Sequence, residues 1–203
     1  MRVDVAELDR YRRLYDDLTV AELAEWNERL VKKYPDQRHY NYEHVRQAVG
    51  DAGDVVELGG YDGSLADVIL ERNTHIRRWR NYELVRVKHA EPRDPRYELI
   101  VDRDRFAWRR ADWDGDVLVL SHVLEHLNAE QALELVLTFP RYDRVYIDAP
   151  LRAGGWEGST TAHVLGWTWD DLLRIIEAQG IFETTLLGRT LYDGAAYLLE
   201  AVI

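Results

Sequence analysis

Between residues 57 and 63 the chain reads Glu57, Leu58, Gly59, Gly60, Tyr61, Asp62, Gly63, an acid and three glycines placed between a short apolar run and a segment of helical periodicity. Glycine adopts left-handed backbone freely and lets a ligand come close to the main chain. A helix entered from such a turn offers its first amides to that ligand. Glu83 follows Gly63 by twenty residues. An acid at the end of the second strand of a βαβ nucleotide site accepts hydrogen bonds from both ribose hydroxyls, so Glu83 is the expected ribose contact.

Histidines form the second group able to do chemistry. His122, Glu125 and His126 are spaced three and four apart, which places them on one face if a helix begins early enough, and His163 lies in a later glycine-rich stretch. Two chemistries fit. A neutral imidazole acts as a general base near neutral pH, whereas three imidazoles and a carboxylate hold a divalent metal that lowers the pKa of an acceptor hydroxyl. The same residues also match the literal H-x-x-E-H pattern of inverse zinc peptidases.

The dinucleotide fingerprint G-x-G-x-x-G does not fit, because counting from Gly59 places Tyr61 and Ser64 where its second and third glycines belong. Glu57 to Gly63 instead resembles the first motif of class I S-adenosylmethionine-dependent methyltransferases, E/D-x-G-x-G-x-G, with Tyr61 in place of the middle glycine. The acid-led apolar run Asp116 to Leu120, followed by Ser121-His122-Val123-Leu124-Glu125-His126-Leu127, resembles that family's fourth strand and its S-x-x-L-E-H-L turn. Arg144 to Pro150 resembles the fifth strand, and Gly166 to Leu173 the helix start after it. The position of His122-Glu125-His126 inside this pattern, behind a buried strand, sets the peptidase match aside.

The resemblance implies S-adenosyl-L-methionine as cofactor and S-adenosylhomocysteine as product. Glu57, Gly59, Gly60, Tyr61, Gly63, Ser121 and His122 would surround the cofactor, with Glu83 on its ribose and Asp102, with Asp104 close behind, on the adenine amino group. His122, His163 and His126 are the candidate catalytic residues. The H-x-x-E-H spacing also resembles the E-x-x-E-H of metal-dependent small-RNA and quinone-pathway O-methyltransferases, with His122 replacing the first Glu. That makes a metal site of His122, Glu125, His126 and His163 one alternative. A non-catalytic binding module on the same fold is the other, since fold does not fix function.

The elements that must position these residues follow from periodicity. Apolar and aromatic residues recur at helical spacing from Val5 to Tyr34, predicting two amphipathic helices, with Thr19 capping the second and Pro35 ending it. A tyrosine-rich connector and a helix around Glu43 to Val49 complete an N-terminal cap or lid over 1–50. The remainder, 51–203, is expected to be one globular core. Its fold class is α/β: a Rossmann-like, seven-stranded, mostly parallel sheet with a closing antiparallel strand, flanked by helices. Thr168 is the expected N-cap of a late helix, with Asp171 in the capping-box place. The stretch 151–166 is expected to be a substrate loop.

Composition bounds the rest. The chain has 203 residues, a net charge of −11 and no cysteine. One domain with a sizeable core fits that length. The acidic balance disfavours a nucleic-acid partner, and the lack of thiols removes disulfides, thiolate metal sites and a cysteine nucleophile. Met1 to Glu7 has no signal-peptide core and no later run reaches membrane-spanning length, so a cytoplasmic protein without a membrane partner is expected. The expected partner is a small-molecule acceptor methylated at oxygen or nitrogen, and a homodimer is a possible assembly.

Overall fold

The structure is a computed structural model. It describes residues 42–60, 63–83, 94–101, 109, 112–127, 129–149, 168–189 and 194–202. In chain order these form α1 (Tyr42–Val49), β1 (Asp54–Leu58), α2 (Ser64–Arg72), β2 (Arg78–Glu83), β3 (Tyr97–Val101), β4 (Val117–Ser121), α3 (Ala129–Val136), β5 (Arg144–Ala149), α4 (Trp169–Gln179), β6 (Phe182–Arg189) and β7 (Ala195–Ala201). Single 3₁₀ turns at Leu124–His126 and Phe139–Arg141 flank α3.

The seven strands make one sheet in the order β3-β2-β1-β4-β5-β7-β6. β1 to β5 pair in parallel, while β7 runs antiparallel to both β5 and β6. This is the expected architecture. Strand side chains alternate between faces. Val55, Val117, Val119 and Tyr146 face a layer containing Val45 and Val49 of α1 and Ala66 and Ile69 of α2. Val56, Leu118, Leu120, Val145 and Ile147 face the other layer, with Leu135 and Val136 of α3 and Leu172 and Ile176 of α4. Burial on both faces explains why β4 reads Val-Leu-Val-Leu without alternation. Each such aliphatic side chain contributes about 1.5–3 kcal/mol by leaving water.

Helix α1, expected as part of the cap, packs directly on the sheet: Tyr42, Val45, Ala48 and Val49 are all buried in the same apolar cluster as β1 and β4. The two preceding helices expected from 5 to 34 lie outside the described residues. So does the loop at 151–166.

Polar ties fix the strand starts. Asp116 Oδ2 accepts the amides of Gly53 at 2.7 Å and Asp54 at 2.9 Å, joining the entries of β1 and β4. Arg80, only 4% exposed, donates to Asp54 Oδ1 at 3.0 Å, to Asp112 O at 2.7 Å and to Asp114 O, anchoring the segment before β4. Helix α4 begins with the expected capping box, Thr168 Oγ1 accepting from Asp171 N while Asp171 accepts from Thr168 N, and it ends at Gly180 with φ 66°.

Candidate functional site

Strand order reverses between β1 and β4, and open α/β sheets bind ligands in the crevice beyond the carboxyl ends of the strands at such a point. Leu58 and Leu120 stand side by side in register there, so the glycine turn after β1 and the Ser121-His122 turn after β4 leave the sheet together. Added to Gly59, a Cβ would stand 3.1 Å from Val123 Cγ2, a measure of how closely the two turns approach.

The turn is held from beneath. Gly59 and Gly63 both take the left-handed backbone, at φ 69° and 71°, the conformation that glycine alone adopts without penalty. The Gly59 N–H donates to Tyr82 O at 2.9 Å, the Gly60 N–H to Asn81 Oδ1 at 2.9 Å and the Gly63 N–H to Gly60 O at 3.1 Å. All three amides therefore end on protein oxygens. Glu57 is buried at 1% exposure and accepts from Trp79 Nε1 at 2.8 Å. Its carboxylate lies under Gly60, supporting the turn from the sheet side. Glu83 directly follows Tyr82, which bonds Gly59, so the last residue of β2 is brought beside the turn and stays half-buried. Helix α2 then starts at Gly63 with no side chain capping its amides.

The second turn carries an ionic cluster in which Glu125 and Asp148 are buried and the His122 side chain is 32% exposed. His122 has φ 56°, the one non-glycine left-handed residue among those described, and its N–H donates to Asp148 O at 2.9 Å. Its Nδ1 is 3.1 Å from Glu125 Oε1 and its Nε2 is 3.4 Å from Asp148 Oδ1. Ser121 Oγ and Tyr146 OH both donate to Asp148 Oδ2, at 2.9 and 2.7 Å. Burial opposes a charged ring, but the Asp148 charge and the Glu125 hydrogen bond outweigh it, and the His122 pKa is pushed up to about 9. Burial works to raise Glu125 as well, yet the His122 hydrogen bond and charge hold it below the ordinary carboxylate range. In Asp148 burial dominates and the pKa is raised, with His122, Tyr146 and Ser121 opposing. The pair of acids thus favours the protonated ring at neutral pH, and a metal or an acceptor proton would have to compete with that proton for the ring nitrogen. Among the described residues no group of three or more His, Asp or Glu side chains is arranged to hold a metal ion.

The structure therefore brings together Glu57, Gly59, Gly60, Gly63, Glu83, Ser121 and His122 at one edge of the sheet. His126 ends the 3₁₀ turn next to them. Tyr61, Asp102, Asp104 and His163 lie outside the described residues. Sequence reasoning assigned no part to Asn81, Asp148 or Tyr146, although an acid and an amide inside otherwise buried strands were the available signal. No helix among the described residues is long and apolar enough to cross a membrane.

No protein-family model matches this chain, and no curated protein matches its sequence. Solved structures do match its shape. Human N-acetylserotonin methyltransferase in complex with SAM superposes with a TM-score of 0.66 at 13% identity, over 91% of this chain and 57% of that one. A putative O-methyltransferase from Nostoc punctiforme gives 0.62 at 11%, over 80% and 56%. The methyltransferase domain of a bacterial Hen1 gives 0.63 at 14%, over 83% of this chain and 100% of that domain. The chain thus spans little more than half of the first two and the whole of the third. At these identities the likeness shows the fold, which is the Rossmann-like fold of methyltransferases.

Proposed function

We propose that this chain is an enzyme that transfers a methyl group from S-adenosyl-L-methionine to a small-molecule acceptor, at oxygen or nitrogen. The observation that carries the reading is the glycine turn at the switch point, whose Gly59, Gly60 and Gly63 amides are all committed within the protein while Glu83 stands beside it. A pyrophosphate would draw on amides of the turn as well as on the uncapped start of α2, and the turn amides of Gly59, Gly60 and Gly63 are taken. A ribose needs a carboxylate at the end of β2, and an adenosyl ligand without phosphate fits what is present. The likeness in fold to methyltransferases supports the same choice.

When bound, S-adenosylmethionine supplies a methyl carbon on a positively charged sulfur: an acceptor lone pair bonds to that carbon as the carbon–sulfur bond breaks toward sulfur, and the acceptor loses a proton. The protein's part is to hold the reacting groups in line, which alone supplies a large share of rate enhancement in bimolecular reactions. Gly59 to Gly63 and Glu83 fix the adenosyl half. Ser121 and His122 form the rim of β4, beside which the acceptor sits.

His122 contributes as a fixed cation between Glu125 and Asp148, since a ring protonated up to about pH 9 takes no proton from an acceptor at neutral pH. The histidine base belongs to His126 or His163. The net charge of −11 supports a small acceptor over a nucleic acid.

Calorimetric titration with S-adenosylmethionine, S-adenosylhomocysteine and a nicotinamide dinucleotide tests the reading. Binding of the first two is expected. Binding of the dinucleotide, with neither adenosyl ligand bound at millimolar concentration, overturns it. Methyl transfer to a panel of phenols, catechols and amines, read by S-adenosylhomocysteine release, separates an enzyme from a binding module.

A further inference from the structure

Gly60 is gripped from two sides by side chains of neighbouring strands. Glu57 and Asn81 are partners in the register of β1 and β2, and both point to the face of the sheet that carries α1 and α2. Glu57 lies under the Gly60 Cα, and Asn81 takes its N–H. Asn81 is wholly buried, with its Oδ1 2.9 Å from Gly60 N and its Nδ2 2.8 Å from the phenol oxygen of Tyr97, the first residue of β3.

The chemistry fixes which way this amide faces. A backbone N–H only donates, so the Gly60 side must receive the carbonyl oxygen of Asn81, and the amino group then points at Tyr97, whose oxygen accepts. A flipped amide would set N–H against N–H at Gly60. The Gly60 N–H thereby selects the orientation, Tyr97 holds the amide in it by accepting from the amino group, and the fixed amide in turn sets the position of the Gly60 peptide.

We infer that Asn81 and Tyr97 form a positioning pair that presets the glycine turn for its adenosyl ligand, although neither residue touches that ligand. The inference rests on the adenosylmethionine reading for its ligand but not for its geometry. An apolar residue at 81 would leave the half-buried Gly60 N–H unmatched on the protein side, and the turn would move to satisfy it. Tyr97 acts on the turn through Asn81, so the Gly60 peptide no longer responds to its hydroxyl once Asn81 is replaced. Gly59 and Gly60 have no side chains of their own to pack, so a preset from β2 and β3 does for them what packing does elsewhere.

The test uses Asn81→Leu, Tyr97→Phe and the double variant of the full chain. Two readouts are measured: hydrogen exchange of the Gly60 amide without ligand, and the Kd of S-adenosylhomocysteine by calorimetry. Asn81→Leu is expected to abolish Gly60 protection while leaving the amides of β4 protected, and to raise Kd about tenfold, as loss of one internal hydrogen bond does. Tyr97→Phe should give a smaller rise, about threefold, and partial loss of protection. The double variant should match Asn81→Leu alone, because residues acting through one another are not additive.

Unchanged Gly60 protection in both single variants overturns the inference, as does a double variant whose effect on exchange equals the two single effects added. Should Asn81→Leu fail to fold, Tyr97→Phe, at a half-buried edge-strand residue, still decides between partial loss and none. Failure of S-adenosylhomocysteine to bind the unaltered protein would overturn the adenosyl reading, while the exchange data would still decide the role of Asn81.

Discussion

The carboxylate of Glu57 occupies the space that a side chain on Gly60 would need: a Cβ built there stands 2.2 Å from Glu57 Cδ and 2.3 Å from Oε2. Glu57 cannot easily swing away, being 1% exposed and bonded to Trp79 Nε1. Gly60→Ala should therefore cost about 1–3 kcal/mol, the usual range for overpacking a buried site. Shortening the acid should relieve it. In a double-mutant cycle read by urea denaturation, Gly60→Ala combined with Glu57→Asp should cost less than the two changes summed. Strict additivity would mean that the contact does not govern Gly60.

Glu83 should carry ribose recognition. Hydrogen bonds to a charged group contribute about 1.5–3 kcal/mol each, so Glu83→Gln should weaken S-adenosylhomocysteine by roughly tenfold or more, and Glu83→Ala further. Calorimetry on variants of unchanged melting temperature checks this. An unaltered affinity would move the ribose contact to another acid.

His122 sets a pH dependence of stability. Its pKa in the folded chain, about 9, lies above the ordinary 6.5. The folded state thus binds this proton more tightly, and the stability it contributes is complete below about pH 6.5 and is lost as pH rises through about 9. His122→Gln has no such proton. Melting temperatures of the two proteins should accordingly converge between pH 6.5 and 9 from a wild-type advantage at the acid end. A gap that is constant over that range would show that His122 titrates normally.

Thr168→Ala should remove half of the capping box at the start of α4 and cost about 1 kcal/mol, with Asp171→Ala similar. Thr168→Asp, which keeps an acceptor at the N-cap, should cost much less. Thermal unfolding read by circular dichroism measures the order.

Several features of this protein were legible in its sequence because they are local. The apolar runs of β1, β4 and β5, the glycines at 59 and 63 and the Thr168 to Asp171 spacing each state their structure within a few residues. The reason is that strand burial, left-handed backbone and helix capping are properties of adjacent residues. The helical face expected for His122 became a left-handed residue before a 3₁₀ turn. Only part of that spacing argument held, since Glu125 does meet His122 at three residues' distance.

Tertiary structure alone decided what those elements hold against one another. Parallel pairing places Ser121 opposite Asp148, and Glu57 opposite Asn81, because strand order and register bring together residues that are 27 and 24 positions apart. A shift of one residue in either register would turn these side chains to the opposite face of the sheet. The charge state of His122 is thus set by β5, and the shape of the glycine turn by β2 and β3. Local sequence carries no register, so the acid and the amide that organise the site read only as polar residues in buried strands until the sheet is assembled.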